Sequence, residues 1–177
     1  MIFSAVMTAL VAVATAVIPI PLPTGYGHPG DALVLLAGWL LGPLWGAAAA
    51  GLGSAMADMF LGYVAYAPAT FVVKALTAAV CGLLTASTAG QAKPKLWMFL
   101  PGGVLGECAM VGGYFLYESL VLGLGAAAVA SLPGNLMQGA VGLVLFVLLA
   151  ALLRKYRLDA FFRKSAGTET AKKQELS

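Results

Sequence analysis

The chain has 177 residues, of which 61% are hydrophobic and only 10% charged, with a formal net charge of +3. A soluble domain carries roughly 25% charged residues, so an ordinary soluble enzyme or binding module is excluded. Several apolar runs approach the ~20 residues that cross a bilayer as a helix. The chain is therefore read as an all-α, polytopic membrane protein.

Segment one, Phe3 to Ile20, lacks the positively charged start of a signal peptide and is read as a retained helix that stops at Pro19, Pro21 and Pro23. The loop Leu22 to Gly30 is turn-rich. Segment two, Asp31 to Leu41, is short for a span and ends at Gly42-Pro43. Pro43 suits the first turn of segment three, which continues to about Leu61. Segment four runs from about Tyr66 to Ala86, followed by a polar connector, Ser87 to Lys95. Segment five covers about Leu96 to Leu122 and segment six about Leu132 to Leu153. Residues 1–155 thus form one six-helix transmembrane domain. Residues 156–177 are a charged tail, expected to be disordered beyond Lys164.

The basic residues set an orientation. Of ten Lys and Arg, two lie in the four–five connector, seven from Arg154 onward, and the tenth is Lys74. By the positive-inside rule both termini are cytoplasmic, and the one–two, three–four and five–six loops face outside. The basic excess is thus a topology signal and not a nucleic-acid footprint. Cys81 and Cys108 fall within apolar segments and read as small packing residues, not as a disulfide.

The stretch Gly53 to Lys74, GSAMADMFLGYVAYAPATFVVK, departs most from the apolar background. An ionisable residue inside a membrane is costly and marks a functional site by default. Tyr66, Thr70 and Lys74 recur every four residues and share one face of segment four. Glu107, Tyr114 and Glu118 share a face of segment five, and Glu107 lies at a depth comparable with Lys74. Segment three adds Ser54 and Asp58, and segment six adds Asn135 and Gln138. Lys74 and Glu107 either pair with each other or face a ligand. Asp31 and Asp58 either join the site or cap helix ends in headgroup water. Asn135 and Gln138 either read a ligand or bond helices together. Tyr26, His28, Tyr63, Tyr66 and Tyr117 lie toward the outer side, where an aromatic belt is the plainer reading of the tyrosines. Five helices sending polar groups to one region favour a pocket for a polar, aromatic small molecule.

Other chemistry finds no support. The chain lacks a GxxxxGK[ST] phosphate loop, its one histidine and two cysteines make no zinc pattern, and no serine–histidine or cysteine–histidine arrangement supports a nucleophile. No enzyme activity, metal or cofactor is expected.

The stretches GYGHPGDALVLLAGWLLGPLWGA (25–47), GSAMADMFLGYVAYAPATFVVK (53–74), GECAMVGGYFLYES (106–119) and PGNLMQG (133–139) resemble the S components of energy-coupling factor (ECF) vitamin transporters. That resemblance implies a substrate-binding subunit in a prokaryotic plasma membrane. It would capture a vitamin or precursor from outside and dock on a membrane coupling subunit served by two cytoplasmic ATPases. It implies a ligand under the one–two and three–four loops, with Tyr26, His28, Tyr63 and Tyr66 above it. Asp58, Lys74, Glu107, Tyr114, Asn135 and Gln138 would form its walls. In segment one it implies that an AxxxA pattern contacts the coupling subunit, met here by Ala5 and Ala9 and again by Ala12 and Ala16. Hydroxymethylpyrimidine, pyridoxine and riboflavin are the implied substrates. The rival readings are a self-sufficient ion-coupled transporter, a structural membrane subunit and an intramembrane enzyme.

Overall fold

The computed structural model describes residues 2–17, 20–22, 25–88, 95–156 and 158, with the side chains of residues 20–27 left out of the description. Segment one forms α1 (Ile2–Val17). In place of the irregular loop expected before segment two, Ile20–Leu22 and Gly25–Gly27 pair as a short antiparallel ribbon, with Pro21 opposite Tyr26. Helix α2 (Asp31–Leu61) follows, then α3 (Ala67–Thr85), α4 (Leu100–Leu116) and α5 (Leu132–Lys155). Pro68, Pro101 and Pro133 stand in the first turns of α3, α4 and α5, where a missing N–H costs nothing. Residues 89–94 of the connector and the tail beyond residue 158 lie outside the described residues.

Helix α2 contains a break. Gly42 adopts φ 80° and ψ 176°, a conformation that needs glycine, and Pro43 restarts the helix. A Cβ built on Gly46 would lie 2.5 Å from the carbonyl oxygen of Ala37. Nine residues along one continuous helix would separate these positions by roughly 13 Å. The chain therefore reverses at Gly42, and residues 31–41 pack against residues 43–61 as two antiparallel arms. The second arm ends at Gly62, φ 85°. There the Tyr63 N–H donates to the Asp58 carbonyl (2.8 Å) and the Gly62 N–H to that of Met59 (3.3 Å). This is a Schellman closure, and it explains the Gly-Tyr pair after Leu61.

Small residues govern the approach of helices. On the first arm, Gly38 meets the α3 backbone at Ala78 and Gly82. On the second, a Cβ at Gly53 would lie 2.5 Å from the Thr8 carbonyl oxygen of α1. Gly102, Gly106 and Gly113 of α4 face Thr85, Thr77 and Val73 of α3 in turn, so α4 runs antiparallel to α3. One end of the bundle is closed by aromatic rings. Trp39 and Phe99 meet edge to face at 4.9 Å, with Phe146 6.1 Å from Phe99, and Trp39 Nε1 donates to Thr88 Oγ1 (3.1 Å).

Large apolar side chains such as Leu44, Phe60, Val72, Leu83 and Leu120 point outward, whereas Asp31, Lys74 and Glu118 are enclosed. That is the arrangement a hydrocarbon solvent favours. Among the described residues four helical stretches, 31–61 taken across its break at Gly42, 67–88, 96–121 and 125–155, are long and apolar enough to cross a membrane, and 2–17 is a shorter apolar helix. The glycine contacts yield a pair of opposite expectations. Gly38→Val is expected to cost about 1–3 kcal/mol through overpacking against α3. Gly112→Ala, whose Cβ meets nothing within 4 Å, should be neutral or stabilising. Thermal unfolding in detergent distinguishes them, and equal behaviour of the two variants would refute this packing.

Candidate functional site

Four helical segments each carry one polar side chain into the middle of the bundle. Asp31 opens α2, and Lys74, Glu107 and Gln138 each lie about two turns inside α3, α4 and α5. The Lys74 ammonium forms a salt bridge with Asp31 Oδ1, and both side chains are wholly buried. Gln138 Nε2 donates to Asp31 Oδ2 at 2.7 Å, so both oxygens of Asp31 are engaged. Lys74 Nζ also stands 5.4 Å from the centroid of the Tyr114 ring, a cation–π distance. These contacts correct two expectations. Lys74 pairs with Asp31, not with Glu107, and Asp31 is no cap in headgroup water but the acid at the centre of the site.

Glu107 is 6% exposed. Neither of its carboxyl oxygens has a hydrogen-bond partner among the described residues. Its place is made by α5 glycines. A Cβ on Gly142 would lie 3.0 Å from Glu107 Oε1 and 2.7 Å from Asp31 Cβ, and one on Gly139 would lie 3.2 Å from Oε2. The two acids thus meet the same bare patch of α5. His28 borders them from the segment entering α2. It is buried, and its Nδ1 accepts the Gly30 N–H at 3.1 Å. Burial lowers the His28 pKa to about 4, with Asp31 opposing that shift and Lys74 adding to it.

Above this level α3 and α4 are joined rung by rung between their polar faces. The Tyr114 hydroxyl donates to Thr70 Oγ1 (3.0 Å) and the Tyr66 hydroxyl to Glu118 Oε1 (3.3 Å). Tyr117 donates to the Ala65 carbonyl, and the Tyr66 and Tyr117 rings meet at 5.6 Å. Glu118 lies in a π-helical turn, Tyr117–Val121, an irregularity frequent at functional sites. Asp58 and Ser54 are buried on α2.

The remaining predicted residues are more dispersed. Tyr63 and Asn135 are partly exposed, and the Tyr26 side chain lies outside the described residues. On α1 the two AxxxA pairs separate, with Ala5 and Ala9 exposed, Ala12 buried and Ala16 between. Asp31 was legible only as a helix start, although the brevity of segment two was the available signal for its depth. Among the described residues no three of His, Cys, Asp and Glu gather to hold a metal.

Apolar helices turned outward around a buried polar centre define a multi-pass helical membrane protein. The family model described as "ECF-type riboflavin transporter, S component" matches residues 1–155, and the chain belongs to that family, one of transporter subunits and not of enzymes. The chain is also similar to a Pyrococcus woesei protein described as an uncharacterised protein in the gap 3′ region. The two are 35% identical over 138 residues, 78% of this chain and 88% of that one.

Removing one member of a buried pair leaves an uncompensated charge, so Lys74→Ala should cost about 3–5 kcal/mol of stability. Replacing both partners, Lys74→Met with Asp31→Leu, should recover much of that loss. Unfolding of the single and double variants in detergent tests this, and losses that simply add would disprove the pairing. His28 adds a pH dependence. Its folded pKa of about 4 lies below the ordinary 6.5, so between these values the unfolded chain binds a proton that the folded chain does not. Stability is then full above pH 6.5 and declines as pH falls toward 4. His28→Gln should flatten the unfolding midpoint across that window, and an unchanged slope would rule His28 out.

Proposed function

We propose that this chain is the high-affinity substrate-capturing subunit of an ECF-type importer whose substrate is riboflavin. It passes through the membrane six times, with both termini on the cytoplasmic side, the chain entering α2 and the short first arm of α2 together making one passage and the second arm another. Ligand enters from outside and lies beneath the 20–30 and 62–66 connections, walled by Lys74, Glu107, Tyr114, Gln138 and Asp31. Asp58, Tyr63, Tyr66, His28 and Asn135 line the approach. The captured ligand is then released through a membrane coupling subunit driven by two cytoplasmic ATPases, with the exposed Ala5 and Ala9 face of α1 offered to that subunit.

One observation carries this reading: the family match extends over all five helices, 1–155, and its description names riboflavin. The buried polar centre supports it physically, because packing alone does not require an acid, a base, a second acid and an amide at one level. The aromatic and amphipathic flavin suits a site in which Tyr114 and Tyr66 stand beside hydrogen-bonding groups.

The test is titration of the detergent-purified protein with riboflavin, read by flavin fluorescence, beside hydroxymethylpyrimidine and pyridoxine. One flavin per chain is expected, and uptake into proteoliposomes is expected only when the coupling subunit and ATPases are present. Binding of another compound in the panel would replace the substrate. Uptake by the chain alone would replace the mechanism with ion-coupled transport.

A further inference from the structure

The polar centre contains one cation and two acids, and their hydrogen bonds are unequally shared. Lys74 is committed to Asp31 Oδ1, and the second oxygen of Asp31 accepts from Gln138. Lys74 keeps N–H donors beyond the one given to Asp31, but its charge is already matched by Asp31 at a site where both are wholly buried, so an anionic ligand would bring an unmatched negative charge there, which is expensive. Glu107 brings unused acceptor capacity to this level: it is enclosed, and neither of its oxygens has a hydrogen-bond partner among the described residues, whereas the other buried polar atoms without one, such as Thr15 Oγ1, Ser54 Oγ and Glu118 Oε2, are single atoms. A buried polar group without a partner is uncommon and calls for an explanation.

The surroundings argue against a misplaced packing residue. Gly139 and Gly142 give the carboxyl its room, since a side chain at either would press on it. Through its contact with Gly142 the carboxyl also adjoins Asp31, so a second anion there would meet two acids at once. Ionised, Glu107 offers acceptors only, and protonated it keeps a carbonyl acceptor beside one donor. In either state it is suited to receive an N–H or O–H.

We propose that Glu107 is the specificity-determining residue of the site, accepting a hydrogen bond from an N–H or O–H of a neutral or cationic heteroaromatic ligand and excluding ligands that bring an anionic group to this level. This rests on the ligand-capture reading above but assigns the selection to Glu107 and withdraws it from Lys74, the residue whose charge alone would suggest an anion receptor. Where the carboxyl is ionised or the ligand donor is cationic the bond is charge-assisted, among the stronger contacts available in an enclosed site, and its loss is large.

The experiment uses the full chain in detergent with riboflavin as the probe, comparing wild type with Glu107→Gln and Glu107→Asp. Glu107→Gln keeps the shape, exchanges one acceptor for a donor, and should weaken binding by about 10- to 100-fold. Glu107→Asp keeps the carboxyl, set back by one methylene, and should fall between. Both variants should keep the wild-type unfolding midpoint to within a few degrees, which separates recognition from packing. Should the variants not fold, infrared difference spectra of the wild type supply the second readout. A carboxyl or carboxylate band that shifts on adding riboflavin is expected, and an unmoved band overturns the proposal.

Wild type that binds riboflavin while Glu107→Gln binds it equally well also overturns the proposal and leaves the capture reading standing. Wild type that binds none of riboflavin, hydroxymethylpyrimidine or pyridoxine overturns both. Competition by nicotinate and orotate, small heteroaromatic carboxylates, should be absent. Their effective competition at the Glu107 level, lost in Glu107→Gln, would reverse the assigned ligand class.

Discussion

The buried ion pair between Asp31 and Lys74 is the constraint on which the rest of the arrangement depends. Two charges removed from water lose several kcal/mol of solvation each, and their attraction repays this only with good geometry and further hydrogen bonds. The bundle supplies those. Gln138 reaches Asp31 from α5, the Tyr114 ring faces the ammonium, and Gly142 lets α5 approach Asp31 without a side chain between. Three helices are thereby fixed in relative height around one carboxylate. The aromatic cluster of Trp39, Phe99 and Phe146 closes one end of the bundle.

The brevity of the first α2 arm sets this height. Its 31–41 span is roughly 16 Å long, about half a hydrocarbon core, and it begins not at a surface but level with Lys74. The break at Gly42 is what permits so short an arm, because the chain can turn at once and run back alongside it. The ribbon at 20–27 then has to descend to meet residue 31, carrying His28 into a buried position. A local glycine conformation thus propagates to the placement of an acid eleven residues earlier.

Helix positions were legible because apolar length, proline at helix starts and glycine at breaks are local signals, and all of them act within a few residues. The α3 and α4 polar faces were equally legible, since period and spacing decide which residues share a face, but the pairs made between them, Thr70 with Tyr114 and Tyr66 with Glu118, were not. Nor was the partner of Lys74. Spacing gives depth along one helix but not the rotation of one helix against another, so comparable depth pointed to Glu107 and left Asp31 aside. Asp31 was further disguised by standing first in its helix, where an acid is ordinarily a surface feature that favours the helix dipole. The ribbon was hidden because its prolines and glycines read as turn signals alone.

Stability does not account for the site. Well-packed apolar side chains of similar volume would hold these helices at least as firmly as a buried ion pair, and Glu107 beside it adds an acid with no bond to offset its burial. The ion pair and the orphaned acid therefore do different things. The pair neutralises itself and locks α2, α3 and α5 into one geometry, so that little reorganisation is left for a ligand to drive. Glu107, held by neither, keeps its acceptor capacity for whatever enters. A rigid neutral frame beside an unsatisfied acid is how a site gains selectivity from a single contact. A ligand that cannot supply the missing donor leaves that group buried and unpaired, and the penalty for the wrong ligand exceeds the reward for the right one.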